Sequence, residues 1–80
     1  MAKYTVIYGT NTMIPDESGN LRSITFFQEI EGKNEEAVEW IIEQQIELRP
    51  FIKDKGGYLR RTNTIVSYKL KEITNRGKNN

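Results

Sequence analysis

Cysteine is absent from this sequence, and so is histidine. Without thiols there is no disulfide framework, no thiolate metal site and no thiol nucleophile, and the composition suits a reducing compartment. Without imidazole the chain lacks the commonest general base, the commonest zinc ligand and the usual switch near neutral pH. A Ser-His triad is impossible. No apolar run is long enough to span a bilayer, and Met1-Ala2-Lys3-Tyr4-Thr5 leads into an alternating pattern without the apolar stretch of a signal peptide. A cytoplasmic location is therefore expected, in a bacterium or in a cell that a phage infects. Ten Ile, seven Asn and seven Lys suggest an AT-rich coding genome such as that of a low-GC bacterium or its phage.

What is present suits one small domain. Eighty residues, 36% apolar and 29% charged with a net charge of +1, are enough for one core and too few for two. A chain this short buries only roughly 60% of the surface it exposes when unfolded, so an apolar face left outside reads as a contact surface.

Residues 3–10 alternate as a half-buried strand does, with Tyr4, Val6 and Tyr8 on one face and Thr5 and Ile7 on the other. Residues 11–20 read as a loop whose turn chemistry lies in Pro15-Asp16-Glu17-Ser18-Gly19-Asn20. A second strand, Leu21 to Glu31, carries Ile24, Phe26 and Ile30 on one face and Ser23, Thr25, Phe27 and Glu29 on the other, which makes an antiparallel hairpin. Asn34 suits a helix N-cap, with Glu35 and Glu36 at the positive end of the dipole. Ala37, Val38, Ile41, Ile42 and Leu48 then form a helical stripe with Trp40 and Ile46 at its edges, and Pro50 stops the helix.

After an irregular connection over residues 50–57, alternation returns from Tyr58 and is clearest where Val66, Tyr68 and Leu70 oppose Ile65, Ser67, Lys69 and Lys71. Residues 58–73 read as one long strand with a bulge near Asn63, or else as a hairpin. No internal repeat is apparent. The expected fold is α+β: a two-layer sandwich of a three-stranded antiparallel sheet (four-stranded if the last segment is a hairpin) with one helix on one face, in the order β-β-α-β. Residues 1–73 would form the domain and the polar residues 74–80 a flexible tail.

Charge is segregated along the chain. Residues 1–48 hold three basic and nine acidic side chains; residues 49–80 hold nine basic and two acidic. On a helical wheel Glu36, Glu39, Glu43 and Glu47 fall within about 80° of one another, and the last three form an i, i+4 ladder of like charge with no lysine inside it. A solvated face, partly neutralised by Arg49, Lys53 and Lys55, is the simpler reading. The sharper one is a negative ridge, with Trp40 beside it as an anchor or merely a packing residue, that docks on a basic partner.

The basic half supports a different reading. Arg60, Arg61, Lys69, Lys71 and Phe27 combine cations with an aromatic ring in the way single-strand-binding sheets do, although the motifs of an RNA-recognition domain are missing. The open sheet face carrying Ile7, Phe27 and Ile65 could equally be a dimer interface, and a homodimer is expected.

Gly32-Lys33-Asn34 lacks the upstream glycine and the hydroxyl of a phosphate loop, and Asp16 to Asn20 lacks calcium-loop spacing. No metal, cofactor or catalytic group is expected. The leading functional expectation is a non-enzymatic protein-binding module, a phage or mobile-element inhibitor of a host nucleic-acid-handling or defence enzyme that acts through its acidic helix. A nucleic-acid-binding regulator and a self-associating structural component are the alternatives.

Overall fold

Alternation along the first strand decides where the core lies. Tyr4, Val6, Tyr8 and Thr10 are buried on one face of β1 (Ala2–Pro15), because successive side chains of a strand point to opposite sides. The computed structural model describes residues 2–73. After β1 come β2 (Leu21–Gly32), α1 (Glu35–Leu48), β3 (Phe51–Lys53), β4 (Leu59–Arg61), a 3₁₀ turn (Thr62–Thr64) and β5 (Ile65–Ile73). The strands form an antiparallel sheet of order β2-β1-β5 and a separate pair β3-β4. The two-layer α+β sandwich expected from the sequence is what forms, with the small second sheet added. The tail expected over residues 74–80 lies outside the described residues.

Helix α1 covers the β1 side chains. Val38 and Ile42 are fully buried against Tyr4, Val6, Tyr8, Phe26, Ile30 and Ile52, and the Tyr8 and Phe26 rings stack at 4.7 Å. The helix begins where Asn34 accepts a hydrogen bond from the Ala37 N–H at 2.9 Å, as an N-cap should. It ends before Pro50, and its terminus is tied down by the 3₁₀ turn: the Thr62 hydroxyl donates to the Arg49 carbonyl at 2.7 Å and the Thr62 N–H donates to the Pro50 carbonyl at 3.0 Å. The first of these bonds satisfies a carbonyl that the helix end otherwise leaves without a partner.

Several expectations change. β1 runs on to Pro15, so the loop before β2 shrinks to the five residues Asp16 to Asn20. Residues 11–15 and 21–23 extend as a two-stranded arm past the end of β5, and Met13, Ile14 and Leu21 are exposed on it. The segment 50–57 contains a strand, β3, and Asn63 lies in the 3₁₀ turn and not in a bulge. The bulge falls later: Gly9 pairs with Ser67 but Thr10 pairs with Ile65, which leaves Val66 without a partner on β1. One extra residue reverses the facing of everything beyond it. Val66, expected under the helix, is therefore 65% exposed, while Ile65, expected on the open face, packs against the core.

Contrary to the expectation of no internal repeat, a short seven-residue pattern, Asp-x-x-Gly-x-Leu-Arg, occurs twice, at Asp16 to Arg22 and Asp54 to Arg60, and both copies fold alike. The aspartate carbonyl accepts from the glycine N–H at 3.0 Å in each turn, and Gly19 and Gly57 both have φ of 86°. That conformation belongs to glycine at the end of the three residues enclosed when the Asp16 N–H donates to the Asn20 carbonyl, or the Asp54 N–H to the Tyr58 carbonyl. One carboxylate oxygen of each aspartate accepts two backbone N–H groups, and the other binds the arginine Nε, at 2.7 Å in the first hairpin and 3.1 Å in the second. The first carboxylate is thus committed to its own turn, which is why Asp16 to Asn20 is a hairpin loop and not a cation site.

Both aspartates titrate below the usual carboxylate range. For Asp16 the Arg22 hydrogen bond leads, opposed by partial desolvation and aided by the turn N–H groups. At Asp54 desolvation is the largest influence and pushes upward, but the Tyr58 N–H, Arg60 and the Gly56 N–H together outweigh it. A carboxylate with a depressed folded-state pKa stabilises the fold above its unfolded pKa of 3.8 and loses that contribution as pH falls through the folded value. Thermal melts should therefore hold level from pH 7 to about 4.5 and fall below that. Asp54→Asn should lower the plateau and flatten the acid limb; an unchanged acid limb would show that these pairs are not linked to folding.

Candidate interaction surface

The outward side of α1 carries more than glutamates. With Val38 and Ile42 pointing into the core, Trp40 lies at the outermost line of the helix and is 63% exposed. Leu48, expected in the buried stripe, is 72% exposed, two turns further along the same flank. Trp40, Gln44, Leu48 and Arg49 line an open groove whose floor includes Gln28 of β2. Gln28 is fixed there, since it donates to Gln45 at 3.1 Å and accepts the Tyr8 hydroxyl at 2.5 Å. The expected margin position of Trp40 is replaced by an exposed indole on the outermost line of the helix.

The glutamates form the other flank. Glu36, Glu43 and Glu47 are exposed and Glu39 is half-buried. Glu43 accepts the Tyr68 hydroxyl of β5 at 3.1 Å, which ties the ridge to the sheet. Burial, then the Glu43 hydrogen bond and the charges of Glu43 and Glu39, raise the Tyr68 phenol above its ordinary pKa. Among the described residues the ion pairs are Arg22–Asp16 and Arg60–Asp54, and neither reaches a helix glutamate. Arg49, Lys53 and Lys55 form no ion pair with these glutamates among the described residues. The last turn of α1 contains no basic residue, so Glu47 lies near the negative pole of the dipole as well as above a like charge.

The basic residues divide between two places. Arg60 is held by Asp54, with its guanidinium 5.9 Å from the Phe26 ring and 5.7 Å from the Tyr58 ring, and Arg61 lies 6.0 Å from the Phe51 ring. Both belong to the small β3-β4 sheet. Lys69 and Lys71 lie on the open face of the main sheet, where Ile7 pairs with Phe27 on one side and Lys69 on the other. The cationic set expected for nucleic acid is therefore not one surface. Glu29 and Glu31 stand on the same open face as the two lysines, which weakens its attraction for a polyanion. Of the expected dimer-face residues, Ile7 and Phe27 are brought together and Ile65 is excluded by the bulge.

Sequence reasoning missed Leu48 and the apolar arm. A signal for the arm existed in the repeated hairpin pattern, which places the turn at Asp16. Helical spacing alone put Leu48 in the stripe, but it is the last residue of α1 and is exposed. Among the described residues no cluster of three or more His, Cys, Asp or Glu could hold a metal, and no helix is long and apolar enough to cross a membrane. Comparison of the chain with protein-family models, with curated proteins and with solved structures gave no match.

Proposed function

We propose that this chain is a protein-binding module that presents the outer face of α1, with Trp40 as its apolar anchor and Glu36, Glu39, Glu43 and Glu47 as its electrostatic ridge. The supporting observation is that the glutamate ladder has no cationic partner among the described residues while the indole beside it is open to solvent. Like charges at i, i+4 and a glutamate in the last turn each cost on the order of a few tenths of a kcal/mol. A sequence that places them there without relief suits binding better than folding. The fitting partner is a basic protein surface with an apolar recess for the indole, and such surfaces are typical of enzymes that handle nucleic acid. Inhibition of such a host enzyme by a phage or mobile-element protein, without catalysis and in the cytoplasm, is the biological setting this reading implies.

The test uses Glu39→Lys, Glu43→Gln and Glu47→Lys together, glutamine being chosen at 43 to keep an acceptor for Tyr68. Capture from nuclease-treated lysate should yield a basic protein whose retention falls with salt and is lost in the triple variant. The melting temperature should stay level or rise, because the like-charge ladder is relieved and Glu47→Lys puts a cation at the negative end of the dipole. Retention unchanged by the substitutions removes this reading.

A further inference from the structure

The open face of the main sheet carries a charge pattern that is complementary to itself. Cross-strand pairing places its side chains in rows: Glu31, Lys3 and Ile73; Glu29, Thr5 and Lys71; Phe27, Ile7 and Lys69. Read down the columns, β2 contributes Glu31, Glu29 and Phe27, whereas β5 contributes Ile73, Lys71 and Lys69. Acid lies on one edge strand and base on the other, with Ile7 between them. An open groove crosses this face, lined by Thr5, Ile7, Phe27, Glu29 and Lys71 among others. α1 covers the opposite side of the sheet, so no described element covers these residues.

We infer that this face binds a second copy of the chain, face to face, about a two-fold axis that runs nearly along β1. Only two in-plane directions need comparing. A two-fold axis perpendicular to the strands lays β2 on β2 and β5 on β5, so acid meets acid and lysine meets lysine. An axis along β1 exchanges the edges, laying β2 on the partner's β5 while keeping each row opposite its own copy. Glu29 then faces Lys71 across the interface twice, each Phe27 ring meets a Lys69 ammonium, and the two Ile7 side chains meet at the centre. Oppositely charged pairs and cation–π contacts are favourable in a closing interface. An axis inclined by about 15° to β1 gives the strand crossing of about 30° that stacked sheets adopt. Lys3 faces its own copy, but each Lys3 is the cross-strand neighbour of Glu31, which offsets that repulsion.

The exposed edges offer a poorer route. Among the described residues β5 has a free edge, but pairing it with a second β5 would set Lys69 and Lys71 among their own copies, and the Val66 bulge interrupts the edge. Lysines and a bulge are standard protection against edge pairing. The edge of β2 is met by the β3-β4 hairpin, whose Lys55 N–H donates to the Phe27 carbonyl. Glu72 of β5 also borders the groove, but it pairs with Tyr4 and so belongs to the opposite face of the sheet; Lys55 lines the groove too, a positive charge on the acidic side. It stands beyond the β2 edge, outside the rows that pair. The outer face of α1 remains free in such a dimer, which would present two copies of the proposed binding surface.

The test is charge exchange, read as molar mass by sedimentation over a concentration series. Glu29→Lys alone and Lys71→Glu alone should each raise the dimer dissociation constant by at least about tenfold, since each sets two like-charged pairs in the interface. The double variant, E29K with K71E, should recover the dimer. Mixing the two single variants should give a heterodimer, because the first supplies only lysines at these positions and the second only glutamates. Glu29 and Lys71 are exposed and lie on opposite edge strands, so circular dichroism should show the same fold throughout. A wild-type chain that stays monomeric at millimolar concentration would overturn the inference. So would single variants that dimerise as the wild type does, or a mixture that fails to pair. None of these results depends on the partner proposed for α1, whose capture is read separately.

Discussion

Tyr8→Ala will remove a large share of the protein's stability at 25 °C. Tyr8 is fully buried on the central strand, stacks on Phe26 at 4.7 Å and donates its hydroxyl to Gln28. Truncating a buried aromatic ring to alanine costs about 3–5 kcal/mol, because the cavity only partly collapses. A chain of 80 residues has a total stability of about 4–12 kcal/mol. The ring therefore represents a large share of the margin, and urea unfolding at neutral pH will measure the loss. Tyr8→Phe keeps the stack and removes one buried hydrogen bond, so it should cost only about 1 kcal/mol.

The same pair of variants gives a second reading in alkali. Burial, and then the proximity of Tyr68, push the Tyr8 phenol far above its usual pKa of 10.0. A group whose folded pKa is raised contributes stability that is complete below its unfolded pKa and is lost as pH rises past it. Wild-type stability should hold up to about pH 10 and decline above it, whereas Tyr8→Phe should decline less. Equal alkaline slopes in the two proteins would show that the phenol is ionised without unfolding the core.

Trp40→Ala should weaken partner binding by about 30-fold or more, as expected for truncating an anchoring tryptophan, and should leave the melting temperature within about 2 °C of wild type, since little buried surface is lost. The separation of the two readouts is what gives the experiment its force. The indole is 63% exposed. A large stability loss with unchanged binding would return Trp40 to a packing role. Combined with the glutamate variants, it also tests whether anchor and ridge act on one partner: if so, the two losses should not simply add. Capture that survives removal of both would leave the helix without a binding role.

Local chemistry was enough to locate much of this fold. The hairpin, the helix with its Asn34 cap and Pro50 stop, and the core residues Tyr4, Val6, Tyr8, Phe26, Ile30, Val38 and Ile42 follow from periodicities of 2 and 3.6 and from capping. The glutamate ladder is likewise a matter of spacing along one helix. The candidate basic surface was not legible in this way. Arg60 and Arg61 are close in sequence to Lys69 and Lys71, yet the 3₁₀ turn sends the two pairs into different sheets.

Patterns along the chain thus decide which residues are helical, which alternate and which carry charge. Two things needed long-range pairing: the order β2-β1-β5 and the bulge that turns Val66 out and Ile65 in. A strand's sequence constrains only which side chains share a face. Which strand lies beside it, and in what register, depends on contacts between residues far apart in the chain, and shifting one residue reverses the face. That pairing is also what sets Glu29 and Lys71 on opposite edges of one surface, an arrangement no segment of the sequence contains.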